Sequence, residues 1–89
     1  MRLITRPVDM LAVHIYGKVP RPIRFRYWND EGAEQVVKVE RLLRVQRRKV
    51  CDDWVFHYYC ENGKGQARKA YRLLYAPNDD KWEVYLQKT

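Results

Sequence analysis

Apolar and polar residues alternate along most of this chain, and turn-forming residues cut the alternation into short lengths. The clearest length is residues 22–28, where Ile23, Phe25 and Tyr27 point one way and Arg24, Arg26 and Trp28 the other. Strand side chains switch faces at every residue, so this pattern predicts a sheet with one buried and one wet face. Asn29, Asp30, Glu31 and Gly32 then supply a turn.

A long strand is expected from Gln35 to about Arg47, with Val37, Val39, Leu43 and Val45 on one side. Arg41 breaks that series, and a bulge or strong bend near residues 40–42 would repair it and let one strand serve both halves of a small barrel. Helical spacing over residues 34–48 is the competing reading, but the valines favour a strand. Trp54, Phe56 and Tyr58 mark the inner face of the next strand, residues 51–60, with Val55, His57 and Tyr59 opposite. After a turn at residues 61–65, Tyr71, Leu73 and Tyr75 point inward from residues 68–76. Pro77, Asn78, Asp79 and Asp80 form a second turn, and Trp82, Val84 and Leu86 point inward from the last strand.

Residues 1–17 are read less sharply. Val13, Ile15 and Leu11 fit a strand, a short helix over residues 8–15 competes, and Pro7 discourages structure just before it. Consecutive strands joined by short turns pair as antiparallel neighbours. The expected fold is therefore all-β: a five- or six-stranded antiparallel meander forming a small SH3-like barrel or strongly twisted sheet. It makes one domain over residues 1–89, with 1–19 as an N-terminal strand or short helix and 20–88 as the core. Phe25, Tyr27, Trp54, Phe56, Tyr58, Tyr71, Tyr75 and Trp82 are its expected inward aromatics, and Trp28, Tyr59 and Tyr85 its outer ones.

Composition sharpens the picture in two ways. The net charge of +7 is concentrated, because residues 18–49 hold ten basic side chains against four acidic ones. Such a surface attracts polyanions. The apolar stretch at residues 8–16 is interrupted by Asp9 and His14 and has no small-residue cleavage site, so a signal peptide and a membrane span are not expected. The expected location is the cytoplasm. Cys51 and Cys60 would lie roughly 30 Å apart on one extended strand, too far for a disulfide, and are read as reduced thiols.

Catalytic chemistry is thin. The chain has no serine, and its threonines, Thr5 and Thr89, sit near the ends, which excludes a serine triad. Cys60 and His57 would face opposite sides of a strand, and Cys51, His57 and Cys60 match no familiar zinc spacing. The adjacent acidic pairs at residues 52–53 and 79–80 read as solvated turns rather than dyads. Asn62, Gly63, Lys64 and Gly65 lack the spacing and following helix of a phosphate loop. No catalytic residue, metal or cofactor is expected.

The surface remains. Small nucleic-acid-binding barrels use cations for phosphates and exposed aromatics for stacking. Arg24, Arg26 and Trp28, with Arg44, Tyr59, Arg72 and Tyr85 on neighbouring strands, have those ingredients, and Arg47, Arg48 and Lys49 add to them. Binding of DNA or RNA is the first expectation. Aromatic and arginine residues also anchor protein interfaces, and a free sheet edge accepts a partner strand, so a protein partner is the alternative. A monomer or weak homo-oligomer is expected.

The order of landmarks also resembles a family of small bacterial β-domains of unknown function. The matching residues are 22–26 (Pro-Ile-Arg-Phe-Arg), 36–39 (Val-Val-Lys-Val) and the closing hairpin of residues 71–75 and 81–86. The resemblance spans residues 20–88 and implies a β-barrel type of fold. Some relatives are linked with error-prone DNA polymerases, which implies a nucleic-acid setting. It transfers no functional residue, and the cysteines and residues 47–49 lie outside it.

Overall fold

The alternation is realised as seven strands and no α-helix among the described residues. The computed structural model describes residues 2–88. The strands are β1 (Arg2–Val13), β2 (Arg21–Trp28), β3 (Glu34–Lys38), β4 (Arg41–Val50), β5 (Asp53–Asn62), β6 (Lys69–Ala76) and β7 (Lys81–Lys88), with a single 3₁₀ turn at Gly65–Ala67. They form one antiparallel sheet in the order β3-β2-β1-β7-β6-β5-β4. The sheet is open: β3 and β4 end it and no ladder joins them, so the closed form of the expected barrel is not what the chain adopts.

Two differences account for the strand number. The N-terminal segment is one long strand that includes Pro7, not a short strand or helix beyond it. β1 pairs with β7 from Arg2 to Val8 and then with β2 from Asp9 to Val13. Pro7 therefore sits where β1 has a strand on one side only, an edge-like place that tolerates a residue lacking an N–H. The second difference lies in the expected long strand from Gln35, which breaks at Val39 and Glu40 into β3 and β4. A bulge at Leu43 follows, where the β4–β5 register shifts. The bend anticipated from Arg41 is thus a corner plus a bulge, and it sends the chain from one end of the sheet to the other.

That corner is clasped by the far end of β5. The Asn62 amide donates to the Lys38 carbonyl at 2.7 Å and accepts from the Glu40 N–H at 3.0 Å. Tyr71 donates its hydroxyl to the same Asn62 oxygen, and Glu40 accepts from the Gly63 N–H at 2.9 Å. Arg41 completes the clasp by donating to the Gly63 carbonyl. Gly63 has φ +82°, and a Cβ there would lie 2.4 Å from the Ala67 carbonyl oxygen, so no other residue fits without distortion.

The concave face holds the core. Phe25, Tyr58, Cys60, Leu73, Tyr75, Trp82 and Val84 are buried together, with Tyr27, Phe56 and Tyr71 packed against them. Rings meet at 4.6 Å between Tyr75 and Trp82 and at 5.1 Å between Tyr58 and Trp82. Tyr58 donates its hydroxyl to the Pro20 carbonyl at 2.6 Å, tying β5 to the segment that leads into β2. Trp54 departs from expectation. It shares the phase of Phe56 and Tyr58 but is 46% exposed. The β5–β6 ladder begins only at Phe56, so the end of the β4–β5 hairpin overhangs the core and its inner face meets water. The hairpin turn is Cys51-Asp52, both with positive φ, so Cys51 lies in the turn rather than in the strand.

Removing the clasp should cost the whole sheet. Asn62→Ala and Gly63→Ala should each lower unfolding free energy by about 1–3 kcal/mol, since paired backbone groups lose their partners or the loop is strained. Urea titrations should show earlier midpoints at unchanged slope, whereas Asn78→Ala, which loses only an exposed bond to Asp53, should move little.

Candidate nucleic-acid interface

The register of the ladders aligns four expected residues across the convex face. Arg44 on β4 lies opposite Tyr59 on β5, Tyr59 opposite Arg72 on β6, and Arg72 opposite Tyr85 on β7. Cations and rings therefore alternate along one row at right angles to the strands. The Arg44 guanidinium lies 4.3 Å from the Tyr59 ring centroid, and Arg72 lies 4.0 Å from that of Tyr85 and 5.8 Å from that of Tyr59. Arg48, four residues along β4 on the same face, joins them through Gln46, whose side-chain oxygen accepts from Arg48 at 3.0 Å and from the Tyr59 hydroxyl at 3.3 Å.

His57 sits beneath this row. It is 7% exposed, its ring stacks on Tyr85 at 5.9 Å, and its Nδ1 has no hydrogen-bond partner. Burial pushes its pKa down, and the charges of Arg72 and then Arg48 push the same way. The Arg72 guanidinium beside the Tyr59 phenol favours the phenolate, with Arg48 and Arg44 adding to it. The charges of Arg72 and Arg48 contribute to both shifts, in the sense of a positive local field.

Four arginines are held by carboxylates. Arg6 pairs with Asp30, Arg26 with Asp9, and Arg41 and Arg68 with Glu61. Among the described residues, no carboxylate lies within ion-pairing distance of Arg44, Arg48 or Arg72. The remaining expected site residues lie elsewhere. Arg24, Arg26 and Trp28 are on β2, separated from β6 by β1 and β7, and the Arg26 guanidinium is held at 3.0 Å by Asp9 and 5.3 Å from the Trp28 ring. Residues 47–49 lie within β4, so their side chains divide between faces. Arg47 and Lys49 cover the exposed Trp54 on the opposite face of the hairpin, at 4.3 and 5.8 Å from its ring.

Sequence reasoning left out Trp54, Gln46 and Arg48's link to Tyr59. The signal for Trp54 was its place beside a hairpin turn, beyond the reach of the neighbouring strand. The cysteine and histidine side chains diverge: Cys51 is exposed in the turn, Cys60 is buried in the core, and His57 is on the convex face. Among the described residues no three His, Cys, Asp or Glu side chains come together as a metal site would need, and no helix is long and apolar enough to cross a membrane. Comparisons with protein-family models, curated proteins and solved structures found no match to this chain.

Two solution measurements test this geometry. Burial pushes the Cys60 thiol up to about 12, so at pH 8 a thiol reagent should modify Cys51 quickly and Cys60 only on unfolding. Two rapid equivalents in the native protein would contradict the placement. His57 supplies a pH test. Its folded-state pKa lies below the unfolded value of 6.5, so the unfolded chain binds the proton first. Stability should be full above that value and decline as pH falls through it. Urea midpoints of His57→Gln should depend less on pH than those of the wild type, and parallel curves would contradict the assignment.

Proposed function

We propose that this chain is a non-catalytic binding module that holds the sugar–phosphate backbone of a nucleic acid against the convex face of β4–β7. The observation that carries the reading is the Arg44–Tyr59–Arg72–Tyr85 row, in which guanidiniums with no carboxylate partner among the described residues lie over aromatic rings, with Arg48 beside them. A guanidinium stacked this way keeps its N–H edges free for phosphate oxygens, which it can bind in a bidentate fork. Its planar face also accepts an unstacked base. The tyrosine faces are already covered, so cations rather than bare rings meet the ligand. Binding of this kind is driven by counterion release and reads little sequence. The resemblance to a family with polymerase-linked members points the same way. An acidic protein surface would engage the same cations, and the experiment below separates the two.

Fluorescence anisotropy with single- and double-stranded DNA and RNA oligonucleotides, repeated over a salt series, should show saturable binding that weakens steeply with salt. Arg44→Ala and Arg72→Ala should each flatten the log–log salt slope by about 1 and weaken binding to all sequences alike. Arg72→Lys should restore the slope but not the full affinity, because the ammonium lacks the planar fork. Arg26→Ala should change little, since Asp9 already neutralises that charge. Unchanged affinity in a folded Arg44→Ala, Arg72→Ala double variant would overturn the site. Equal affinity for heparin would reduce it to charge alone, and no binding at low salt would favour the protein partner.

A further inference from the structure

The two outermost strands differ sharply in how they meet solvent. β4 carries a bulge at Leu43 together with Arg44, Arg47, Arg48 and Lys49, devices that blunt a sheet edge against pairing. A second β4 laid against it would set cation beside cation. β3 has neither bulge nor proline, and β2 is its one ladder partner; on its outer side Asn62 at the end of β5 reaches only the last residue, Lys38.

The backbone phase of β3 follows from its two ends. Asn29 donates its N–H to the Ala33 carbonyl and Val39 donates to the Ile23 carbonyl, each a narrow pair of the β2–β3 ladder. Narrow and wide pairs alternate, so Gln35 and Val37 also bond to β2, while Glu34, Val36 and Lys38 aim their N–H and C=O groups away from it. The Asn62 amide, which reaches the Lys38 carbonyl from that outer side, agrees with this phase. The same three residues place their side chains on the exposed convex face, with Val36 58% exposed.

We propose that β3 pairs with the β3 of a second copy of this chain, antiparallel about a two-fold axis through Val36. That symmetry sets Val36 against Val36 of the second copy and Glu34 directly opposite Lys38 of the second copy, twice over. The strand is thus self-complementary in charge: acid at one end, amine at the other, valine at the axis. The Lys38 and Glu34 carbonyls each have one lone pair engaged, by Asn62 and by the Gln35 side chain at 3.1 Å, and keep the second for the ladder. A two-fold axis is the commonest symmetry of homodimers and leaves no further open edge at β3. One short strand pair buries little area, so the association is weak and concentration-dependent. The inference is independent of what the β4–β7 face binds.

Charge substitutions test the register. Sedimentation equilibrium of the protein alone should show a concentration-dependent dimer. Glu34→Lys and Lys38→Glu each place like charges opposite one another and should weaken self-association by roughly tenfold or more. Mixing the two variants restores opposite charges on both sides and should recover dimer at the same total concentration, while the double swap in one chain should dimerise as the wild type does. Circular dichroism and urea midpoints serve to show that each variant is folded. Hydrogen exchange at the Val36 amide should slow as wild-type concentration rises, because that N–H is free in the monomer. A wild-type chain monomeric at all concentrations would overturn the proposal. So would a dimer indifferent to these substitutions, or single variants that fail to recover on mixing.

Discussion

The corner at Val39 and Glu40 governs the rest of the molecule. It joins strands at opposite ends of a seven-stranded order, yet only two residues separate β3 from β4. Three Cα steps reach at most about 11 Å. The outer strands of a flat seven-stranded sheet would stand about 29 Å apart at ordinary strand spacing. The sheet therefore has to curl until its ends nearly meet. Asn62 makes that curl tolerable by satisfying the Lys38 carbonyl and the Glu40 N–H where the ladders have stopped. The Tyr58 hydroxyl on the Pro20 carbonyl provides a second tie across the concavity.

Curling divides the side chains into two societies. The concave face is small enough for Phe25, Tyr58, Leu73 and Trp82 to fill it, which is how a chain of this length obtains a core. On the convex face even the outer residues Val55 and His57 of β5, the strand next to the edge, are buried. Tyr85 supplies part of that cover by stacking on His57, and Arg72 lies over Tyr85 in turn. A guanidinium resting on a ring gains about 0.5–1 kcal/mol and loses some of its rotamer freedom before any ligand arrives. The same contacts that shelter the sheet therefore order the cations that face outward.

Charge is distributed by role. Arg6, Arg26, Arg41 and Arg68 engage carboxylates that tie loops and strand ends together, the exposed Arg26–Asp9 pair worth at most about 1 kcal/mol and the Arg41–Glu61 pair half-buried. Among the described residues Arg44, Arg48 and Arg72 have no such partner, nor have Arg21, Arg24 and Arg47, but only the first three gather on the convex face of β4–β7. The basic stretch of residues 18–49 consequently does not map onto one surface. Arg26 and Arg41 leave it for structural work, residues 47–49 divide between two faces, and Arg72 joins from a strand far along the chain.

Strand identity was legible locally because a period of two is a property of neighbouring residues. Residues 22–28, 54–60, 71–75 and 82–86 carry it, and the turns at residues 29–32 and 77–80 punctuate it without help from the rest of the fold. The outer placement of Arg44, Tyr59, Arg72 and Tyr85 followed from that period alone. Which of those outer residues stand together did not, because it depends on strand order and register. β1 and β7 intervene between β2 and β6, so Arg24, Arg26 and Trp28 fall away from the row. Trp54 has the phase of a core residue, yet no adjoining strand reaches far enough to cover it. Pro7 argues against a strand by itself and is accommodated only because β1 changes partners beside it. The sequence by itself determined the alternation, the turns and the sign of the charge, all short-range properties. Tertiary structure decided neighbours, overhang and the free edge, because these are set by contacts between segments distant along the chain.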